Sequence, residues 1–521
     1  MQTPAAQTPR YLGDHARLTP DKPAIIHGPS GTAISYRELD ERSNRLAQWL
    51  HAHGLRRGDH FALLMENNLR NLEICWAALR SGLLVTPVSR LLTPGEVEYI
   101  VEDSEARIVV SSYAMRETAA AILPALDARG VARLMVDGTI DGWASYEAAV
   151  ADQPAERLAE EWLGATMLYS SGTTGRPKGI VRAQPATMVT EGQPAARQEA
   201  MQIYGFSADS VYLSPAPLYH AAPLGFCLHT QFEGGTVVVM DKFDPLEALR
   251  MIDRWRVTHS QWVPTMFVRM LKLSDQERAR HDLSSHRVAI HAAAPCPVEV
   301  KKRMIDWWGP ILHEYYASSE GGGSTWIDSA DWLAHPGSVG RAKSGALRIC
   351  ASDGSELPPG EPGLVYFERD QLAFTYHRAP EKTRDAQHPQ HPNWTTVGDI
   401  GWVDPDGYLY LTDRQSFMII SGGVNIYPRA VEDALALHPK VFDVAVIGVP
   451  HPELGEEVKA VVQPPPGIAP SDALAEELIA FLRDKVGRHM LPRSVDFVDE
   501  LPRLPTGKLR KFELRERYWK R

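Results

Sequence analysis

Short apolar runs alternate with helical patterns over residues 35–112 and again over residues 211–315. The segment Glu38–His53 repeats apolar residues at helical spacing and ends before Gly54, whereas Leu83–Val88 is a continuous apolar run typical of a buried strand. Strands that alternate with helices form parallel sheets covered by helices on both faces. The sequence therefore predicts an α/β fold, in which ligands bind where strands end in loops.

The pattern changes twice towards the C-terminus. From about Gly337 the chain consists of short β runs with Gly/Pro turns, and beyond Asp413 it reads as a separate α+β unit. A chain of 521 residues exceeds what one hydrophobic core usually supports. We predict an N-terminal domain of layered, mostly parallel sheets over residues 1–413, with a β-rich subdomain from about 337, and a small mobile C-terminal domain over residues 414–521.

Charge and composition exclude several classes of function. The formal net charge of -10 disfavours nonspecific binding of nucleic acid. The four cysteines have no CxxC spacing, so neither a disulfide framework nor a zinc ribbon is supported. No apolar run approaches the roughly 20 residues that span a bilayer. We predict a cytoplasmic protein without a transmembrane segment.

A loop rich in small residues, YSSGTTGRPKG at Tyr169–Gly179, is a candidate phosphate-binding site. Small hydroxyl and glycine residues at 170–174 leave backbone N–H groups accessible to anions, and Lys178 adds a cation. The Walker spacing is absent. A solvated linker has the same composition, but apolar residues on both sides indicate that the loop joins two strands.

Four further residues suit the chemistry of a nucleotide site. The Asp399 carboxylate matches the two hydroxyls of a ribose, and Glu320 can share Mg²⁺ with phosphates. The His220 imidazole suits a gate beside a substrate carboxylate, and Lys508 offers a cation that can offset transition-state charge. Each residue also has an alternative role that is only structural: a turn-capping Asp, a surface Glu, a core His and a solvated Lys.

The loop YSSGTTGRPKG resembles the signature loop of the adenylate-forming superfamily, which includes acyl-CoA synthetases, aryl-CoA ligases, firefly luciferase and the adenylation domains of peptide synthetases. Further motifs follow in order through Lys508. The segment TTVGDIGW around Asp399 is similar to the TGD motif, YYASSE at Tyr315–Glu320 to YGxTE, and PTGK to the catalytic lysine motif. Ala317 and Ser319 depart from the usual glycine and threonine.

The resemblance implies a role for each matched position. The implied ATP-binding residues are Ser170, Ser171, Gly172, Thr173, Thr174, Gly175, Lys178, Ala293, Ala294, Tyr316, Asp399 and Arg414. The implied catalytic residues are Lys508, Glu320, Ser319 and His220, with Glu320 as the magnesium ligand. His220, Trp262 and Ala292 line the acyl pocket, Gly422 and Gly423 bind CoA, and Ser416 stands at the hinge, where Asp or Lys is usual.

These matches imply an ATP-dependent acyl-CoA synthetase that uses ATP, Mg²⁺ and coenzyme A. Small residues at Ala292–Ala294, without a charged residue nearby, favour a medium- or long-chain fatty acid and hence a role in fatty acid metabolism. An aryl-CoA ligase, an acyl-AMP ligase that loads a carrier protein and a luciferase-like monooxygenase remain alternatives. From another class, a non-catalytic nucleotide-binding regulator would lack Lys508. The oligomeric state stays open, with a homodimer among the alternatives.

Overall fold

The computed structural model describes residues 10–170, 177–414, 417–503 and 509–519. The chain forms two compact units. The first comprises Met1–Trp262, Leu273–Ile290 and Phe374–Thr383, and the second comprises Val263–Lys272, His291–Ala373 and Arg384–Arg521. The predicted domain boundary at residue 413 lies within the second unit and stays a prediction.

The part of the chain up to the signature loop contains mainly alternating helices and strands. Its elements are α1 (Leu12–Leu18), β1 (Pro23–His27), β2 (Ala33–Ser35), α2 (Tyr36–Ala52), β3 (His60–Leu64), α3 (Leu69–Arg80), β4 (Leu84–Val88), α4 (Pro94–Asp103), β5 (Ile108–Ser112), α5 (Arg116–Arg129), β6 (Ala132–Val136), β7 (Ala144–Ser145), α6 (Tyr146–Ala151), β8 (Ala165–Thr166), β9 (Leu168–Ser170) and β10 (Lys178–Val181).

The alternation continues after the signature loop. The elements of this middle part are α7 (Ala195–Gln202), β11 (Val211–Ser214), α8 (Ala221–Phe232), β12 (Thr236–Val239), α9 (Pro245–Arg254), β13 (His259–Trp262), α10 (Pro264–Leu271), α11 (Asp275–Arg278), β14 (Val288–His291), α12 (Val298–Trp308), β15 (Leu312–Ala317), β16 (Ser324–Asp328), α13 (Ser329–Ala334) and β17 (Arg341–Ser344).

The last part of the chain is richer in strands. Its elements are β18 (Ala346–Cys350), β19 (Gly363–Glu368), β20 (Thr375–Tyr376), α14 (Pro380–Asp385), β21 (Trp394–Thr395), β22 (Asp399–Val403), β23 (Leu409–Arg414), β24 (Ile419–Ser421), β25 (Val424–Ile426), α15 (Arg429–Leu435), β26 (Asp443–His451), β27 (Gly455–Gln463), α16 (Asp472–Leu482), β28 (Ser494–Phe497) and α17 (Lys511–Trp519).

The first unit is built on parallel sheets. One sheet has the order β7-β6-β5-β3-β4-β8, and every neighbouring pair in it is parallel. A second group has the order β14-β13-β11-β12-β1-β2. In it, β13, β11, β12 and β1 pair in parallel, and β2 pairs antiparallel with β1. A small antiparallel sheet, β20-β10-β9, carries the signature loop. Helices α4 and α5 bury apolar side chains, including Val97 and Ile122, against the first sheet.

The second unit is built on antiparallel sheets. Strands β15, β16 and β17 form one antiparallel group, and β18-β19-β22-β23 with β21 form another. In the C-terminal part, β25-β24-β27-β26 pair antiparallel and β28 joins β27 in parallel. Helices α15 and α16 cover this last sheet with buried leucines such as Leu435 and Leu478.

The predicted fold class is confirmed: the chain combines large parallel sheets, a β-rich region and a smaller α+β C-terminal part. Local signals explain the accurate helix starts. Ser35 and Glu38 form a capping box at α2, and Thr93 and Glu96 form another at α4, which also has Pro94 in its first turn. The sequence analysis did not predict α5, whose interior contains Pro124.

Candidate active site

The signature loop is carried by a hairpin. Strands β9 and β10 pair antiparallel, with Ser170 opposite Lys178 and Tyr169 opposite Gly179. A β-carbon at position 179 would lie 2.5 Å from Met167 Cε and 3.1 Å from both His377 Cβ and Tyr169 Cζ, so glycine allows this close pairing without displacing the Met167 side chain. Residues 171–176, which include the predicted phosphate contacts Ser171, Gly172, Thr173, Thr174 and Gly175, lie outside the described residues. The hairpin therefore fixes where the loop begins and ends.

Two side-chain contacts support this hairpin within the first unit. The Tyr169 hydroxyl donates a hydrogen bond of 2.7 Å to Asp103 Oδ2 at the end of α4. Burial, followed by this bond to a carboxylate, raises the pKa of Tyr169 well above its ordinary value. Lys178 Nζ lies 4.9 Å from the ring centroid of Tyr376, a cation–π contact with the neighbouring strand β20. The half-buried ammonium is thus held at the hairpin base.

In the second unit, two predicted nucleotide contacts meet although they lie 83 residues apart in sequence. The Tyr316 hydroxyl, on β15, donates a hydrogen bond of 2.6 Å to Asp399 Oδ2 at the start of β22. Asp399 is only 7% exposed, and Gly398 before it has φ +81. The backbone of Arg414 pairs with Asp399 across β22 and β23, while the Arg414 side chain lies outside the described residues.

Ser319 and Glu320 follow β15 in a tight turn. Gly321 adopts φ +75, and its N–H donates to the Ser318 carbonyl at 3.1 Å. Glu320 is 8% exposed, so the alternative of a surface glutamate in a flexible glycine loop is wrong. A carboxylate beside a serine hydroxyl offers the oxygen donors that Mg²⁺ prefers. Glu320 therefore fits the predicted magnesium ligand, and the Ser319 hydroxyl fits the predicted α-phosphate contact.

The segment Ala292–Ala294 follows directly after β14. Ala292 is buried, and Ala293 is an exposed residue with φ +75. A non-glycine residue in the left-handed region is strained, and such strain clusters at functional sites. The contribution of these small side chains to an acyl pocket stays a prediction.

The two large residues predicted for the acyl pocket occupy different surroundings. His220 is half-buried immediately before α8, and its ring lies 4.5 Å from that of Tyr219. Trp262 is fully buried at the end of β13, where its indole N–H donates 2.6 Å to Ser260 Oγ. That environment is the usual one for a core tryptophan. The assignment of both residues to the acyl pocket stays a prediction.

Gly422 and Gly423 form a two-residue turn between β24 and β25. Their φ angles, +58 and +80, are both left-handed, which glycine adopts without steric cost. The Gly422 N–H donates 2.9 Å to the Leu454 carbonyl. The predicted hinge Ser416 and the predicted catalytic Lys508 lie outside the described residues.

The sequence analysis missed a set of buried charged residues in the second unit. Lys301 Nζ donates 2.6 Å to Glu314 Oε2, and His291 Nε2 lies 3.7 Å from the same oxygen. We call His291, Lys301 and Glu314 the buried charge cluster. A sequence signal existed, since Lys301 shares the buried face of α12 with Met304 and Ile305. A lysine in an apolar helix stripe indicates a buried acidic partner.

One other group of possible metal ligands occurs among the described residues: His335, Asp404 and Asp406. Asp404 Oδ1 already accepts the backbone N–H groups of Asp406 and Tyr408, at 3.0 and 2.9 Å. This pattern is typical of a carboxylate that caps a turn. The group therefore has a sufficient structural role in the hairpin between β22 and β23.

Two family models match most of the chain. The family described as AMP-binding enzyme matches residues 12–377, and the family described as AMP-binding enzyme C-terminal domain matches residues 430–508. The chain belongs to the AMP-binding enzymes. Its predicted membership of the adenylate-forming superfamily is thereby confirmed.

Relatives of this AMP-binding enzyme extend over almost its full length. It is 34% identical to a feruloyl-CoA synthase of an Amycolatopsis species over 506 residues, covering 96% of this chain and 97% of that protein. It is 31% identical to the long-chain-fatty-acid–CoA ligase FadD13 of Mycobacterium tuberculosis, covering 97% of each. The crystal structure of ATP-bound MatB from Rhodopseudomonas palustris superposes with a TM-score of 0.79 at 30% identity, covering 97% of this chain and 98% of that one.

The predicted class of activity is confirmed. This AMP-binding enzyme is an AMP-forming acid–thiol ligase, which joins an acyl or aryl acid to CoA through an acyl-adenylate. ATP and CoA are the substrates expected of such a ligase. No helix among the described residues is both long and apolar enough to cross a bilayer.

Proposed function

We propose that this ligase activates an apolar monocarboxylic acid, with Tyr316, Asp399 and Arg414 binding the nucleoside and the loop at 170–175 with Lys178 binding the phosphates. The observation that carries the proposal is the hydrogen bond between Tyr316 and Asp399. It joins two residues that motif resemblance assigns separately to adenine and ribose. An aromatic ring beside a carboxylate is a chemically apt pair for these two groups.

Glu320 would hold Mg²⁺ in this scheme, and the Ser319 hydroxyl would contact the α-phosphate. The Glu320 carboxylate supplies an oxygen ligand, and its low exposure limits competition from water. When bound, the ion would neutralise part of the phosphate charge. Without it, a buried carboxylate facing phosphates would repel them.

In the first half-reaction, a carboxylate oxygen attacks the α-phosphorus of ATP. The bond from that phosphorus to the bridging oxygen breaks, and pyrophosphate leaves with the bonding electrons. Negative charge accumulates on the α-phosphate in the transition state, and the Lys508 ammonium offsets it. Lys178 and the loop at 170–175 hold the departing phosphates.

In the second half-reaction, the CoA thiolate attacks the acyl carbonyl and AMP leaves. We assign residues 414–521 to a mobile domain that turns about Ser416 between the two steps. Its movement withdraws Lys508 and brings the Gly422–Gly423 turn to the site, where the absence of side chains admits the pantetheine arm. One fixed arrangement would not present both groups.

The acid is the least determined part of the proposal. Small residues at Ala292–Ala294 favour an extended apolar acid, and His220 faces its carboxylate. An aryl acid is supported by the likeness to a feruloyl-CoA synthase, and a medium- or long-chain fatty acid by the likeness to FadD13. A location in the cytoplasm and a role in fatty acid metabolism accompany the second candidate.

Acid-dependent ATP–pyrophosphate exchange separates these candidates. The purified chain is assayed with cinnamic acids and with a chain-length series of fatty acids, each with Mg²⁺ or with EDTA. CoA is then compared with a phosphopantetheinylated carrier protein as the acceptor. Exchange with one acid class, lost in EDTA, supports the proposal for that class, whereas no exchange with any acid favours a non-catalytic nucleotide-binding regulator.

The role of Lys508 is tested by Lys508→Ala in both half-reactions. Adenylate formation should fall by about 100-fold or more, because a transition-state contact is lost. Thioester formation from supplied acyl-adenylate should remain close to that of the parent. Equal loss of both half-reactions would contradict the domain movement. Lys485→Ala, at an exposed lysine of the same C-terminal part, serves as the control for charge removal.

A further inference from the structure

The buried charge cluster has almost no contact with solvent. Lys301 and His291 are each 0% exposed, and Glu314 is 4% exposed. Besides its bond to Glu314, the Lys301 ammonium lies 4.8 Å from the ring centroid of Trp332. Both partners of the ion pair have therefore exchanged water for each other, and Lys301 also contacts one aromatic face.

Such a pair is a weak source of stability. Removing two charges from water is costly, and well-packed apolar residues at the same positions often stabilise a protein equally well or better. An ion pair differs from an apolar contact in being directional, because the ammonium must point at one carboxylate oxygen. Its benefit is therefore precise placement of the elements that carry it.

Both ends of the cluster adjoin predicted nucleotide contacts. His291 immediately precedes Ala292–Ala294, where Ala293 holds a strained φ of +75. Glu314 and Tyr316 are two residues apart on β15, so their side chains share one face of the strand. Tyr316 in turn bonds Asp399. A shift at Glu314 would therefore be transmitted along the strand to the nucleoside-binding pair.

We infer that Lys301 and Glu314 are positioning residues for nucleotide binding, whose ion pair fixes the end of β15 relative to the Ala292–Ala294 bend. Neither side chain touches the nucleotide. They act through Tyr316 and Asp399, so the inference rests on the proposed function for the assignment of these two residues.

The test uses a paired substitution that keeps the region packed. Lys301→Met with Glu314→Leu replaces the ion pair by apolar side chains of similar size. The matched control is Arg80→Met with Glu161→Leu, because Arg80 Nε and Glu161 Oε1 form a pair at 2.7 Å whose side chains are 1% and 2% exposed. Arg80 also bonds Asp40 and Ser43, and within the part of the chain that the structure describes the pair contacts no predicted site residue.

ATP affinity is measured by calorimetry on the full chain, together with the thermal midpoint and the KM for CoA. The cluster variant should bind ATP about tenfold more weakly or worse, since small misplacement of binding groups has large effects. Its thermal midpoint and KM for CoA should remain near those of the parent. The control variant should keep ATP affinity within about twofold.

Two results would overturn the inference. One is a folded cluster variant with parental ATP affinity; the other is equal weakening in the control variant, which would indicate a general loss of packing. If the cluster variant does not fold, Lys301→Met with Glu314→Gln removes both charges while keeping β15 polar, and the same criteria apply to it. Failure of the proposed function would differ, because the parent would then show no acid-dependent pyrophosphate exchange.

Discussion

The signature hairpin and the end of β15 are both predicted to contact the nucleotide, yet they are supported by different kinds of interaction. The hairpin is held by contacts between partly exposed groups, namely Tyr169 with Asp103 and Lys178 with Tyr376. The end of β15 stands next to a fully buried ion pair, Lys301 with Glu314. Partly exposed groups can find water when a partner is lost, whereas buried charges cannot.

This difference indicates how each region tolerates change. The hairpin should lose its supports one at a time, each at modest cost. The end of β15 should resist change until the buried charge cluster is disturbed. Three experiments test this difference between the two regions.

The largest effect is expected from acidification of the buried charge cluster. Burial, followed by the nearby charges of Lys301 and His313, lowers the pKa of His291 well below its ordinary value, and the Glu314 carboxylate also faces it. The native state therefore binds fewer protons than the unfolded state, and stability falls as the pH drops below about 6.5. Between pH 7 and pH 5 the opening free energy of β15 should decrease by about 2 kcal/mol.

Hydrogen exchange of peptides covering β15, corrected for intrinsic exchange rates, measures this opening free energy. The control is His291→Leu, which removes the titrating group and should make the opening of β15 less dependent on pH by the same amount. An identical pH dependence in the parent and in His291→Leu would show that the cluster is not the acid-sensitive element.

A smaller effect is expected from Tyr169→Phe in the hairpin. The variant loses the hydrogen bond to Asp103, but that half-buried carboxylate can be hydrated, so the loss of stability should be about 1 kcal/mol. The kcat/KM for ATP in pyrophosphate exchange should fall by about fivefold. Tyr410→Phe, which removes a similar bond to Asp404, is the control and should leave ATP kinetics unchanged. A defect in both variants alike would remove the special role of the hairpin bond.

The smallest effect is expected at Tyr376. Tyr376→Leu removes the aromatic face beneath Lys178 and should raise the KM for ATP by about two- to threefold, in line with the strength of an exposed cation–π contact. Tyr376→Phe retains the ring and should behave like the parent. Equal KM values in the two variants would exclude the cation–π contact as a support for Lys178.

The sequence predicted local structure better than it predicted the long-range contacts that hold the candidate site residues in place. The alternating pattern identified β4 within one residue, and the small residues flanked by apolar runs indicated a loop between strands. These signals are local, because periodicity and turn chemistry act over a few residues. Motif resemblance assigned Tyr316 and Asp399 separately to adenine and ribose, and the hydrogen bond between them was not predicted.

The supports depend on contacts between distant segments. Asp103 and Tyr169 are 66 residues apart, and nothing near either residue indicates the other. For the buried charge cluster, the sequence shows only that Lys301 is a charged residue on an otherwise apolar helix face. A search for periodic apolar residues does not use such a single exception. Only the tertiary structure identifies which buried charges pair with each other.

The hydrogen bond from Tyr316 to Asp399 bears on how a nucleotide would enter. Asp399 is 7% exposed, so its carboxylate has already lost most of its hydration during folding. The Tyr316 hydroxyl occupies one hydrogen-bonding position that a ribose hydroxyl would take. Ribose binding at Asp399 would then exchange one hydrogen-bond donor for another and would not require the carboxylate to lose bound water. Selectivity there would come from how well the sugar outcompetes the tyrosine.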